Sequence, residues 1–363
     1  MSEKLRRQIS TLLTIMVFWM LFGLVISIYD HFTLASDFSL GPSADYSFMN
    51  GLILNVSAAF MGSLMGGIFL VFYLNERFRD KPYGYGILAV CISYIVIVTL
   101  ITLILGVYVA KEKTGGSIFE PEAQQAYIDF LKNPLHVKNI LIWSIVVGLT
   151  QLILQMNYKF GHGILWDFIL GRYHSPRQED RIFMFLDLKS STTIAEKLGN
   201  EKYYSLLRDF YADITDAIVY NKGNIYQYVG DEVIVSWTLE NGLNDNRCLK
   251  CYFDIRETIN GLSDKYLQKY GLVPDFKAGL HYGRVTAGEI GIIKRDITYS
   301  GDVLNTSSRI QDLCNEHKVN ILVSDDLLDL LPKENAYSLK SIGAIQLRGK
   351  LKEVGLSTVE LSR

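Results

Sequence analysis

The chain has 363 residues, 49% of them hydrophobic and 20% charged, with a formal net charge of −2. That length allows two domains of roughly 100–200 residues each. The near-neutral balance argues against a nucleic-acid partner, which would favour a basic stripe.

The two halves differ. Residues 11–29, 51–74, 85–109 and 139–156 are apolar and almost uncharged. Each is long enough, or nearly so, to cross a ~30 Å hydrocarbon core as a helix of about 20 residues. The first follows Lys4, Arg6 and Arg7, as a secretory leader would. Its apolar run of 19 residues exceeds the ~7–15 of a leader core, however, and no small-x-small cleavage site follows, so a retained anchor is expected. Lys and Arg mark the cytoplasmic side. They cluster before the first span, after the second (Arg77, Arg79, Lys81) and after the fourth (Lys159, Arg172, Arg177, Arg181), while segment 30–50 has none. The prediction is a multi-pass protein of the cell's inner membrane with both termini cytoplasmic. Loop 110–138, with Lys111, Lys113, Lys132 and Lys138, runs against this; its length and its balancing Glu112, Glu120, Glu122 and Asp129 discount it. The expected organisation is an all-α four-helix transmembrane domain at 1–157, a linker at 158–180 and a soluble domain at 181–363. Gly62, Gly66 and Gly67 read as close helix packing. The spans lack the charges and broken helices of a transport path. An unidentified membrane-side ligand is a further expected partner.

The linker carries an apolar patch (Ile164, Leu165, Trp166, Phe168, Ile169, Leu170), then Gly171 and the turn-like His174-Ser175-Pro176-Arg177. It reads either as a helix at the membrane surface or as a plain tether. Strand and helix then alternate. Residues 182–188 form a short apolar strand, and 191–198 and 201–220 form helices. In the second helix Tyr204, Leu207, Phe210, Tyr211 and Ile214 recur at threes and fours, and Gly223 is its expected terminator. Strands 225–229 and 232–237 make a hairpin about Gly230-Asp231. A helix follows at 243–261. Strands 275–281 and 285–289 flank Tyr282-Gly283-Arg284. A helix at 302–317 has Asp302 as its expected cap. Strand 319–323, a short helix 325–331 and strands 337–347 and 353–360 close the chain. This is an α+β domain of about 180 residues with one mostly antiparallel sheet flanked by helices.

The cysteines are Cys91, Cys248, Cys251 and Cys314. Cys248-x-x-Cys251 and Cys314-x-x-His317 could together spell a zinc site. The plainer reading puts both pairs on amphipathic helices facing a core, because the usual turn glycines are missing.

Asp187 ends the first strand of the soluble half and Asp231 sits in the following hairpin turn. If those strands are neighbours, both carboxylates project at one sheet end, where two Asp can hold a pair of divalent cations ~3.5–4 Å apart for in-line phosphoryl displacement. Hard oxygen ligands suit Mg²⁺ or Mn²⁺, two per site. Ser190, Ser191 and Thr192 open the next helix, where backbone N–H groups and the helix dipole favour phosphate. Singly, an Asp at a strand end is more often a cap or turn former. Asn305 and Arg309 share a helix face one turn apart; Arg can offset charge on a transferring phosphoryl group.

Phe185-Leu186-Asp187-Leu188-Lys189-Ser190-Ser191-Thr192, then Tyr228-Val229-Gly230-Asp231-Glu232, then Thr298-Tyr299-Ser300-Gly301-Asp302-Val303-Leu304-Asn305-Thr306-Ser307-Ser308-Arg309 together resemble the class III nucleotidyl cyclase catalytic domain, over about residues 180–363. The resemblance implies that Asp187 and Asp231 bind metal, with the Leu188 carbonyl as an added ligand. It implies that Asn305 orients the ribose, that Arg309 stabilises the transition state, and that Arg348 and Lys277 contact the triphosphate. It also implies a head-to-tail homodimer with sites at the interface, metal residues from one subunit and Asn, Arg and base-reading residues from the other. Two positions read the purine. Gln227 stands where adenylate-specific members usually carry Lys, and Thr298 is one of their two usual choices at the second; neither matches the Glu and Cys of guanylate-specific members. ATP is the expected substrate, with GTP or relaxed purine specificity as the alternative. A catalytically silent nucleotide-binding receptor is a further one, against which stands the intact Asp187, Asp231, Asn305 and Arg309 set.

Overall fold

The computed structural model describes residues 3–35, 47–74, 77, 83–132, 135–160, 170–293, 295–333, 335–350 and 352–362. The chain divides into two compact units, Met1–Gln155 and Met156–Arg363. Among the described residues the first is built by α1 (Glu3–Ala35), α2 (Phe48–Ile68, continued by a π-helical stretch Phe69–Leu74), α3 (Tyr83–Thr114), α4 (Pro121–Leu131) and most of α5 (Leu135–Phe160). Gln8–Thr33, Phe48–Leu74, Leu88–Thr114 and His136–Met156 are long and apolar enough to cross a membrane, and they coincide with the four sequence spans. Helix α4 falls inside the expected loop 110–138. Its Tyr127 and Phe130 pack where α3 has Gly106, whose missing Cβ would lie 2.7 Å from Tyr127. Trp19 and Val146 help fill the bundle core, and Trp19 Nε1 donates to Thr150 Oγ1 at 2.9 Å. Residues 36–46, Arg79, Lys81 and the linker patch Ile164, Leu165, Trp166, Phe168 and Ile169 lie outside the described residues.

The second unit is built on strands β1 (Arg177–Leu188), β2 (Asn224–Val229), β3 (Glu232–Thr238), β4 (Phe276–Ile290), β5 (Asp296–Ser300), β6 (Ile321–Ser324), β7 (Tyr337–Ile345) and β8 (Val354–Leu361). Their order is β2-β3-β1-β4-β6-β8-β7, with β5 paired to β4. Every pairing is antiparallel except β4 with β6. The helices are α6 (Ser191–Leu198), α7 (Asn200–Tyr220), α8 (Leu239–Leu243), α9 (Arg247–Gly261), α10 (Ser263–Tyr270), α11 (Asp302–Glu316) and α12 (Asp325–Leu328). Successive side chains of β1 point to opposite faces. Ile182, Met184, Leu186 and Leu188 join Phe210, Trp237 and Tyr252 in the large core. Phe183 and Phe185 meet Val285 and Val303 on the other side. With both faces covered, the strand has to be apolar throughout, which explains its unbroken hydrophobic run.

Several local expectations are corrected. β1 begins at Arg177, so the linker's last residues already pair with β4. Tyr282-Gly283-Arg284 is no turn, because β4 runs through it; β5 and α10 were not foreseen. The helix expected at 243–261 is broken at left-handed Asp245 and Asn246. The left-handed residue ending α7 is Lys222, not Gly223: Gly223 N–H bonds Ile218 O at 2.9 Å and Lys222 N–H bonds Val219 O at 3.0 Å, the Schellman pattern. Gly223 is required instead by close approach, since a Cβ would lie 2.9 Å from Val235. Tyr204 is exposed rather than in the α7 core stripe. Gly301, not Asp302, precedes the first turn of α11; Asp302 pairs with Lys350 at 2.9 Å.

Candidate active site

The antiparallel register sets Asp187 on β1 opposite both Glu232 on β3 and Lys277 on β4. Asp231 follows Gly230, whose φ of 63° gives the β2–β3 turn its left-handed step. Asp187, Asp231, Glu232 and Lys277 therefore gather at one end of three adjacent strands. Lys277 is buried, with Nζ 3.4 Å from Asp187 Oδ2, and Gln311 Nε2 of α11 donates to the same oxygen at 3.1 Å. Burial first, then the charge of and a hydrogen bond with Asp231, push the Asp187 carboxyl up to about 6 against the pull of Lys277. Burial, then Asp187, Asp312 and Asp231, push Glu232 up to about 7. Carboxylates thus outnumber the one ammonium among them. Such a half-buried excess of hard oxygens is the donor chemistry that a divalent cation relieves. Among the described residues no three His, Cys, Asp or Glu side chains form a metal cage. Divalent metals are general to such sites.

The turn is buttressed by Tyr211, whose Oη donates to Gly230 O at 2.9 Å and whose ring lies 4.5 Å from that of Tyr228. Buried Leu188 completes β1. Ser190, at φ 55°, turns the chain into α6; Ser190 and Thr192 are exposed and Ser191 is half-buried. Lys189 reaches Asp275 Oδ2 at 2.9 Å and also Asn320, tying the end of β1 to its surroundings.

Asn305 and Arg309 lie elsewhere. Gln311 turns toward Asp187, and Arg309, two residues earlier, is rotated by about 200° around the helix. The Arg309 guanidinium instead sits by Gly349, where a Cβ would come 3.6 Å from Nη2, with exposed Arg348 adjoining. Asn305 is exposed on the outer part of α11. Gln227 is exposed at an irregularity in the β2–β3 register, and Thr298 is half-buried opposite Gly288. Their neighbours Tyr226 and Tyr299 pack with centroids 4.9 Å apart, and Tyr299 N–H donates to Tyr226 Oη at 3.4 Å. One chain therefore assembles Asp187, Asp231 and Lys277 in one place and Asn305, Arg309 and Arg348 in another. Glu232 and Gln311 were missed. Glu232 is marked only by its place beside Asp231, and buried Gln311 becomes a signal only once the inward face of α11 is known.

The cysteines follow the plainer reading. Cys248 and Cys251 are fully buried in the large core, while Cys314 belongs to a separate cluster with Ile310 and Leu322. Burial pushes the Cys248 and Cys314 thiols up to about 12.

A sequence model of the adenylate and guanylate cyclase catalytic domain matches residues 174–358. The chain belongs to that family, and its second unit is a nucleotidyl cyclase catalytic domain. Adenylate cyclase 2 of Rhizobium meliloti (strain 1021) is 33% identical over 213 residues, 58% of this chain and 59% of that protein. An adenylate cyclase of Anabaena cylindrica is 25% identical over 183 residues, 49% of this chain and 36% of that protein. The chain thus spans 59% and 36% of these relatives' lengths, less than two thirds of either. A solved structure of a bacterial light-regulated adenylyl cyclase shares the fold with a TM-score of 0.53 at 21% identity, over 63% of this chain and 67% of that one.

Proposed function

We propose that two copies of this chain form a membrane-anchored adenylate cyclase, converting ATP to 3′,5′-cyclic AMP and pyrophosphate. The observation that carries this reading is the separation of Arg309 from Asp187 on a chain that holds both. A second copy placed head to tail would unite one chain's carboxylates with the other's guanidinium, twice over. The β4–β5 tip supports a second copy: Ile292 and Ile293 are 93% and 104% exposed, apolar surface that association would bury. The names of the relatives support ATP, and the four apolar helices support the membrane, with the cyclase unit on the cytoplasmic side.

Two divalent cations, Mg²⁺ or Mn²⁺, held by Asp187, Asp231 and the Leu188 carbonyl, would lower the pKa of the ribose 3′-hydroxyl and offset α-phosphate charge. The chain's own residues do the rest. The 3′-hydroxyl gives up its proton to solvent, its oxygen bonds to the α-phosphorus, and the bond to the leaving pyrophosphate breaks. Asn305 holds the ribose so that this oxygen is in line. Arg309 meets charge as it develops on the phosphoryl oxygens. Lys277 and Arg348 hold the triphosphate through charge-assisted hydrogen bonds, and the first turn of α6, with Ser190, Ser191 and Thr192, offers N–H groups to it. Gln227 can donate to adenine N1 and accept from the exocyclic amine, with Thr298 as the second reader.

The test is the product formed by full-length protein from ATP or GTP with Mn²⁺, resolved by chromatography. Cyclic AMP, lost in Asp231→Ala, is the expected outcome. Mainly cyclic GMP would overturn the base assignment and leave the mechanism standing. No product from either nucleotide would favour a silent receptor.

A further inference from the structure

The glycines of α2 serve two ends. At Gly67 a Cβ would lie 2.6 Å from Leu12, so glycine there permits helix contact. At Gly62 and Gly66 a Cβ would sit at ordinary distances from Trp19, 3.5 and 3.6 Å. Side chains of α1 and α3 pack on those two positions with space for one added carbon, and both line a wider space. That space is a cavity of about 1100 Å³ among α1, α2, α3 and α5, at or above the ~300–1,000 Å³ usual for small-molecule sites.

The cavity has two unlike ends. α1 and α3 finish where α2 and α5 begin, and this end supplies Asp30, Asn50, Glu112, Lys113 and Lys138. Lys138 Nζ meets Asp30 Oδ1 at 2.7 Å, and Asn50 Nδ2 donates to Glu112 Oε1 at 2.9 Å. Among the described lining residues two acids, Asp30 and Glu112, face two ammonium groups, Lys113 and Lys138, and their charges balance. Midway, Asn55 Nδ2 donates to Ser27 Oγ at 3.1 Å. The far end is apolar, with Leu70, Val90 and the rings of Trp19 and Trp143, 5.8 Å apart. From Asn50 to Gly66 the helix rises about 24 Å.

We propose that this cavity is a binding site for an elongated amphiphile with a net-neutral polar head. The head lies among Asp30, Asn50, Glu112 and Lys138, and the apolar body lies along the partly exposed lining of Leu54, Ile97 and Trp143. A singly charged head would bring an uncompensated charge to a balanced end, and a wholly apolar ligand would strip water from the polar groups there without replacing its hydrogen bonds. The inference rests on the reading of these helices as membrane-spanning. It does not depend on turnover.

The test uses full-length protein in phosphatidylcholine vesicles and a single-chain phosphocholine amphiphile brominated in its tail, read by quenching of tryptophan fluorescence. The expected result is a saturable component, weakened at least roughly tenfold in the Gly62→Leu/Gly66→Leu variant and retained in Gly148→Leu, which adds equal bulk where no atom lies within 4 Å of the new Cβ. Should the double leucine variant fail to fold, Gly62→Ala/Gly66→Ala, whose added atoms fit, is expected to weaken binding in the same direction. Solvent extraction and mass spectrometry of purified protein separate the sources. Stoichiometric phospholipid lost from the filled variant assigns the site to a bilayer lipid; saturable quenching without retained lipid assigns it to an amphiphile arriving from solution. Quenching that rises linearly and equally in all variants, with no retained lipid, overturns the proposal.

Discussion

Arg309 and His281 show how much a single side chain decides. The Arg309 guanidinium is planar and bidentate, and lysine at that position would keep the charge but lose the fork. Arg309→Lys is expected to lower kcat on the order of 100-fold with a much smaller change in KM, measured by cyclic nucleotide release. His281 lies buried on β4 with Nδ1 2.8 Å from Ser324 Oγ. Burial, reinforced by Lys350, lowers it to about 4 from 6.5, while Asp326 and Asp302 pull weakly the other way. Below pH 6.5 the unfolded chain takes up a proton that the folded chain refuses, so this contribution is full above pH 6.5 and is lost as pH falls toward 4. The loss by pH 4 is roughly 3 kcal/mol. Urea midpoints of the cyclase unit at pH 7.5 and 4.5 should converge in His281→Gln relative to the unmodified protein.

Among the elements, α11 is the one whose seating places the chemistry. It lies directly on β4 at Gly279, where an added Cβ would come 2.4 Å from Gln311 N and 2.6 Å from Ser307 O. Neither is a side-chain tip that can swing aside. Gly279→Ala is therefore expected to lift α11, cost about 1–3 kcal/mol and break the Gln311–Asp187 bond. Hydrogen exchange should quicken in peptides covering 276–290 and 302–316, while peptides from α9 and α10, packed in the large core, stay protected. The start of β1 is fixed by a different device. Buried Arg181 bonds Glu179 at 2.5 Å and Tyr173 Oη at 3.3 Å, and lies 4.5 Å over the Tyr299 ring. The chain entering the cyclase unit is thereby anchored beside the strand that carries Thr298.

For the whole molecule, the proposed dimer makes a quantitative demand. Asp187→Ala and Arg309→Ala damage opposite halves of a site. A mixed dimer collects both lesions in one site and leaves the other intact. Each variant alone is expected to be inactive, and equal co-expression of the two should restore about one quarter of the full activity, since half the dimers are mixed and each has one intact site. A mixture as inactive as its parts would sink the head-to-tail arrangement.

The four apolar spans, the alternating strands and helices, and the set Asp187, Asp231, Asn305 and Arg309 were legible in the sequence, because length, hydrophobic period and spaced motifs are local properties of the chain. The continuity of β4 through Gly283 was not legible, because a glycine reads as a break until a neighbouring element, here Val303 at 3.3 Å from its would-be Cβ, shows why it is small. Nor was Glu232, because its carboxyl is raised first by burial and then by charges, chiefly Asp187 on β1 and Asp312 on α11, that the fold brings near. By itself the sequence determined the family and the residues expected to carry its chemistry. The tertiary structure alone decided which of them share a site within one chain and which do not, because sheet register and helix rotation fix the directions of side chains that spacing merely numbers.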